Sequence, residues 1–97
     1  MNQETAAAAV AETALTDTEK TVLTTVREVL GKPALGLDDD LFDHGGTSLS
    51  FVRVLAELHR HFGVMVHAAA LGGVATPQNL ADQVSRATGA LADHKGA

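Results

Sequence analysis

Apolar residues recur at helical spacing in three stretches of this chain and alternate in none, so the pattern predicts helices and no strands. The first stretch holds Val22, Leu23, Val26, Val29 and Leu30. Before it, Thr16-Asp17-Thr18-Glu19 fits the S/T-x-x-E capping box, with Leu15 in the staple position. After it, Gly31-Lys32-Pro33 is a stop signal. The second stretch runs from about Ser48 to Phe62 and ends before Gly63. At about 100° per residue, Phe51, Val54, Leu55, Leu58 and Phe62 share one side and form its core stripe. Leu49, Val52 and Ala56 fall on a different side, beside Arg53 and Arg60, where they cannot join that core. The third stretch opens on Thr76-Pro77, an N-cap followed by a proline at the first helical position. Leu80, Ala81, Val84 and Ala87 give its inner face, and Thr88-Gly89 is its expected end.

The segments between follow the same logic. Residues 31–47 form a long connection, and Leu35, Leu37, Leu41 and Phe42 are its expected anchors on the helices. Asp38-Asp39-Asp40 before Leu41-Phe42-Asp43 predicts one short helical turn capped by an Asp. His67 to Leu71 reads as a second short helix, ended by Gly72-Gly73. Residues 1–14 are Ala-rich and poor in large apolar groups, and read as a mobile tail or linker. Residues 15–90 are the expected domain and 91–97 a polar C-terminal tail. The expected fold is all-α, a small bundle of three main helices plus one or two short ones.

Gly45-Gly46 makes a sharp, bare turn directly before the second helix, and Ser48 follows with little side-chain bulk in front of it. Serine is a favoured N-cap, so Ser48 is expected to cap this helix. The same position has a second use, because the positive end of a helix stabilises an anion and a phosphate attached at Ser48 would be well placed.

Composition narrows the function. A chain of 97 residues holds one modest core, with little room for a large active-site cleft. A net charge of −5 argues against nucleic acid, and three Phe with no Trp or Tyr supply few stacking platforms for bases. No apolar run reaches membrane-spanning length, and no basic-then-apolar leader opens the sequence, so the expected setting is soluble and cytoplasmic. Cysteine is absent, which removes disulfides and thiolate metal sites.

The motifs of catalysis are not met. Gly46-Thr47-Ser48-Leu49-Ser50 lacks the last glycine of a nucleophile elbow, and no strand precedes it. Gly45-Gly46 is not followed by the Gly-Lys-Ser/Thr of a P-loop. The acidic run lacks the ligand spacing of a calcium loop. His59 and His61 stand two apart on a helix and point to different sides, which is no metal pair. His44, just before the glycines, could touch whatever is attached to Ser48.

With these elements in place, the chain resembles the peptidyl carrier, or thiolation, domains of nonribosomal peptide synthesis, over roughly residues 16–88. The resemblance is carried by Asp39-Asp40-Leu41-Phe42-Asp43-His44-Gly45-Gly46-Thr47-Ser48-Leu49, by Phe62-Gly63-Val64 and by Thr76-Pro77-Gln78-Asn79-Leu80. It implies the acyl-carrier-like bundle and a non-catalytic carrier. It also implies 4′-phosphopantetheine from coenzyme A on Ser48, flanked by Gly46, Thr47 and His44. A chain without cysteine would then present a thiol that the cofactor brings. The implied partners are a phosphopantetheinyl transferase, an adenylation or acyl-loading enzyme, and condensation or tailoring enzymes. They would dock at Leu49, Val52, Arg53 and Ala56 of what is expected to be a monomer.

Two positions depart from the family. His44 stands where an apolar residue is usual, and Thr47 where His, Asp or Asn is frequent. The second helix holds Glu57 as its one acid, against Arg53, His59, Arg60 and His61, which is unlike the acidic rod of fatty-acid carriers. That favours the peptidyl or aminoacyl type over an acyl carrier of polyketide or fatty-acid type, and it argues against docking steered by charge alone. A helical interaction module without a cofactor is the reading from another class. The initial Met and the polar ends fit a free-standing carrier, and a domain excised from a larger synthetase would look the same.

Overall fold

The computed structural model describes residues 15–96, with side chains described up to Gly89. Three helices carry the fold: α1 (Asp17–Leu30), α2 (Ser48–Phe62) and α3 (Pro77–Gly96). Two 3-10 turns, Phe42–His44 and Ala68–Leu71, lie in the connections, and the described residues contain no strand. The expected all-α bundle is the observed one. The expected tail at 1–14 lies outside the described residues.

Local chemistry sets most helix ends. Thr16 Oγ1 accepts the Glu19 amide at 3.0 Å, and Glu19 Oε1 accepts the Thr16 amide at 2.8 Å, which closes the capping box of α1. Gly31 ends α1 in the left-handed conformation, φ 67°, and returns its N–H to Arg27 O. Gly63 does the same for α2. Thr76 Oγ1 caps α3 through the Asn79 amide at 3.1 Å, and Pro77 is buried at the first helical position.

The third helix outruns its expected end. It continues through Gly89 to Gly96, across residues expected to form a tail. A glycine stops a helix by turning left-handed, and Gly89 is not among the residues with positive φ. Ala90, Leu91 and Ala92 after it are strong helix formers, so nothing local interrupts the winding.

The core is the meeting line of the three helices. Val22, Leu23 and Val26 of α1, Val54 and Leu58 of α2, and Leu80, Ala81 and Val84 of α3 are buried together. Phe51, Leu55 and Phe62 pack against that cluster, as their helical spacing requires. α1 touches both other helices most, and α2 and α3 meet less.

The long connection is fastened to the bundle along its length. Leu35 and Leu41 are buried in the core, and Leu37 is half-buried. Arg27 Nε donates to Leu35 O at 2.7 Å, and the Gln78 amide to Leu37 O at 3.0 Å. Phe42 departs from its expected anchoring role. Its ring lies 5.6 Å from that of Phe51 but stays 47% exposed, a lean against α2 rather than an insertion.

Candidate functional site

The start of α2 is positioned from behind by the loop before it. Leu41 N donates to Ala75 O at 2.9 Å, and Asp40 Oδ2 accepts the Ala75 amide at 3.1 Å. These two bonds clamp the loop to the segment leading into α3. The other oxygen of the same carboxylate, Asp40 Oδ1, accepts the Phe42 amide at 2.9 Å and starts the 3-10 turn. Asp39 Oδ2 accepts the Gly36 amide at 2.7 Å. Asp39 and Asp40 of the acidic run are therefore engaged in turn formation. No group of three or more metal-ligating side chains occurs among the described residues.

The two glycines do different jobs. Gly45 has φ 87°, a left-handed conformation that ends the 3-10 turn and that a side chain would strain. Gly46 lies against backbone instead. Its N–H donates to Leu41 O at 2.8 Å, and a Cβ there would stand 2.6 Å from that same oxygen. Gly46 is thus a close-approach residue that lets the chain pass over Leu41 before α2 begins.

Thr47, not Ser48, is the cap of α2. Thr47 Oγ1 accepts the Ser50 amide at 3.1 Å, and Ser50 Oγ accepts the Thr47 amide at 3.0 Å. The two hydroxyls are also 2.9 Å apart. This reciprocal box corrects the expectation that Ser48 is the cap. Both residues can cap, and the pairing is decided by which has a hydroxyl three residues on: Thr47 has Ser50, whereas Ser48 has Phe51.

Ser48 consequently occupies the first helical position, exposed, and its hydroxyl has no hydrogen-bond partner among the described residues. The Ser48 and Leu49 amides, at the helix start, likewise make no backbone bond among the described residues. A free hydroxyl beside unpaired N–H groups at the positive end of a helix fits a phosphodiester attached there. Steric room and electrostatic sign agree.

The remaining candidate residues separate by role. His44 turns back into the loop: its Nδ1 is 3.1 Å from Asp40 O and its Nε2 is 4.0 Å from Asp39 Oδ2. Its contacts in the structure are therefore with the acidic run. Leu49 and Val52 are 70% and 58% exposed, and Arg53 and Ala56 are exposed on the same helix. Arg53 and Ala56 also line a groove of about 290 Å³ between α1 and α2, with Thr25, Glu28, Val29 and Glu57. Glu57 Oε1 accepts from Arg60 at 2.7 Å, and the guanidinium holds its carboxyl below the usual range. Sequence reasoning missed Ser50 and Asp40 as supports of the site. The T-x-x-S spacing from Thr47 was the available signal for the first.

The family model described as "Phosphopantetheine attachment site" matches residues 20–84. Syringomycin synthase SyrB1 of Pseudomonas syringae pv. syringae is 39% identical over 72 residues, 74% of this chain and 12% of that protein. Tyrocidine synthase 3 of Brevibacillus parabrevis is 36% identical over 69 residues, 71% of this chain and 1% of that protein. The chain thus spans a small part of each of these relatives. Among solved structures, a chain from the structure of the phosphopantetheine transferase Sfp in complex with coenzyme A and a peptidyl carrier protein superposes with a TM-score of 0.69. The identity is 28%, over 74% of this chain and 94% of that one. The chain belongs to the phosphopantetheine attachment-site family.

Proposed function

We propose that this chain is a peptidyl or aminoacyl carrier of nonribosomal peptide-type biosynthesis, and that Ser48 is its attachment residue. The observation that carries the reading is the exposed Ser48 hydroxyl at the first position of α2, released from capping by Thr47 and Ser50. In the modification, Ser48 Oγ forms a bond to the pantetheine-bearing phosphorus of coenzyme A. The pyrophosphate P–O bond breaks, adenosine 3′,5′-bisphosphate leaves, and the serine proton passes to a base of the transferase. Once attached, 4′-phosphopantetheine supplies the thiol on which an acyl or aminoacyl group is held as a thioester.

The chain's own residues do the holding. Thr47 and Ser50 fix the helix start, Gly46 lets it sit close over Leu41, and the Asp40 clamp keeps the turn in place. Leu49, Val52, Arg53 and Ala56 are the docking face for the transferase, the adenylation or acyl-loading enzyme, and the condensation or tailoring enzymes. The chain acts as a monomeric, non-catalytic tether in the cytoplasm, where it raises the local concentration of its cargo at each partner. No helix of the described residues is long and apolar enough to cross a membrane.

The test is the intact mass of the protein after incubation with coenzyme A, magnesium and a broad-specificity transferase. A single phosphopantetheine adduct on the wild type that is lost in Ser48→Ala supports the reading. No adduct, or one that persists in Ser48→Ala, refutes it.

A further inference from the structure

The end of α1 lies against the turn that leads to Ser48. A Cβ on Gly46 would stand 3.4 Å from Leu30 Cδ2, and one on Gly45 would stand 3.8 Å from Lys32 Cε. The Lys32 side chain therefore runs over the bare glycine turn. Its root is fixed on both sides, because the Lys32 N–H donates to Arg27 O at 3.0 Å and the Lys32 carbonyl accepts the Leu35 amide at 3.1 Å. Lys32 is exposed, and its ammonium makes no ion pair among the described residues. The neighbouring arginines are otherwise engaged. Arg27 donates to Leu35 O, Arg60 is bound to Glu57, and Arg53 shares its groove with Glu28 and Glu57.

A phosphodiester on Ser48 adds negative charge beside a loop that already holds Asp38, Asp39, Asp40 and Asp43. The unpaired amides at the start of α2 answer part of that charge. Gly45 and Ser48 are three residues apart, so their Cα atoms are separated by at most about 11 Å. The Lys32 ammonium lies one bond beyond Cε, and the phosphate beyond Ser48 Oγ, so two flexible stems close the span. We propose that Lys32 binds the phosphodiester of the Ser48-bound arm and holds the root of the arm against the end of α1. This is a positioning role, exerted on the phosphate and not on the thiol. An exposed ion pair of this kind is weak and is screened by salt. The proposal rests on the carrier reading above.

Lysine side-chain 15N NMR spectra of the unmodified and the phosphopantetheinylated protein test it. The chain has three lysines, so Lys32→Arg identifies the Lys32 ammonium signal by its loss. On modification the Lys32 signal should move while those of Lys20 and Lys95 stay, and the movement should shrink at high salt. A Lys32 signal that does not move, or three signals that move alike, overturns the proposal. Thermal unfolding of both forms gives a second readout. Modification should raise the Tm of wild type and Lys32→Arg by roughly 1–5 °C relative to its effect on Lys32→Gln. An equal effect of modification on all three also overturns the proposal, because a merely structural Lys32 would shift both forms together. Failure of the carrier reading would show earlier and separately, as wild-type protein that takes up no phosphopantetheine.

Discussion

Thr47 and Ser50 cap each other at the start of α2, each hydroxyl accepting the other's backbone N–H, at 3.1 and 3.0 Å. The consequence falls on the residue between them. Ser48 is not needed to hold the helix, so its oxygen is available for chemistry. Thr47→Ala should therefore cost about 1 kcal/mol of stability, the usual worth of an N-cap. Ser48→Ala should cost less than about 0.5 kcal/mol, as for an exposed position without partners. Urea unfolding of the two variants checks this, and the reverse order would mean that the capping has been misassigned.

Gly46 should tolerate no side chain, although its φ is ordinary. The atoms a Cβ would meet are Leu41 O at 2.6 Å and Leu41 C at 3.0 Å, both backbone, so no flexible group can yield. Gly46→Ala is expected to lower stability by about 1–3 kcal/mol, in the range of overpacked sites. It should also slow modification of Ser48, because the helix start must shift. Thermal unfolding together with the rate of adduct formation measures both effects.

Much of the fold was written locally. Thr16 with Glu19, Thr76 with Pro77, and Gly31 and Gly63 set helix ends through neighbours a few residues away, so sequence alone could place them. The misplaced cap came from two adjacent residues that both cap well, with the decision made by a serine three residues on. Gly89 misled for a related reason: a glycine signals a helix end only if it turns left-handed, and its identity does not say whether it will. What could not be read at all was non-local. The Asp40 clamp on Ala75 spans 35 residues of sequence.

Glu19 gives the helix bundle a pH dependence of known sign. The Thr16 backbone N–H, then the Gln78 side-chain amide, stabilise its carboxylate and lower its pKa. A group with a lowered folded pKa contributes stability that is fully present above its unfolded value. That contribution is lost as pH falls through the folded value. Wild type should therefore lose stability in acid relative to Glu19→Gln, while the difference between them is constant near neutrality. Denaturation midpoints across the acid range test this; parallel curves would show that Glu19 gains nothing from its two donors.

Leu49 and Val52 are large apolar groups that the core does not use, at 70% and 58% exposure. Leu49→Asp and Val52→Asp should leave the helical content and unfolding midpoint nearly unchanged, and should impair loading or transfer strongly. Circular dichroism reads the first and acylation kinetics the second. Normal loading and transfer in both variants would remove this face from the docking surface.

Three hydroxyls stand within four residues at the start of α2, and the capping pattern singles out one of them. The most direct measurement is fragmentation mass spectrometry of the modified protein, locating the pantetheinyl phosphate among Thr47, Ser48 and Ser50. The account predicts the group on Ser48 alone. Its appearance on Thr47 or Ser50 would contradict it, because either site requires the cap that holds the helix to open first.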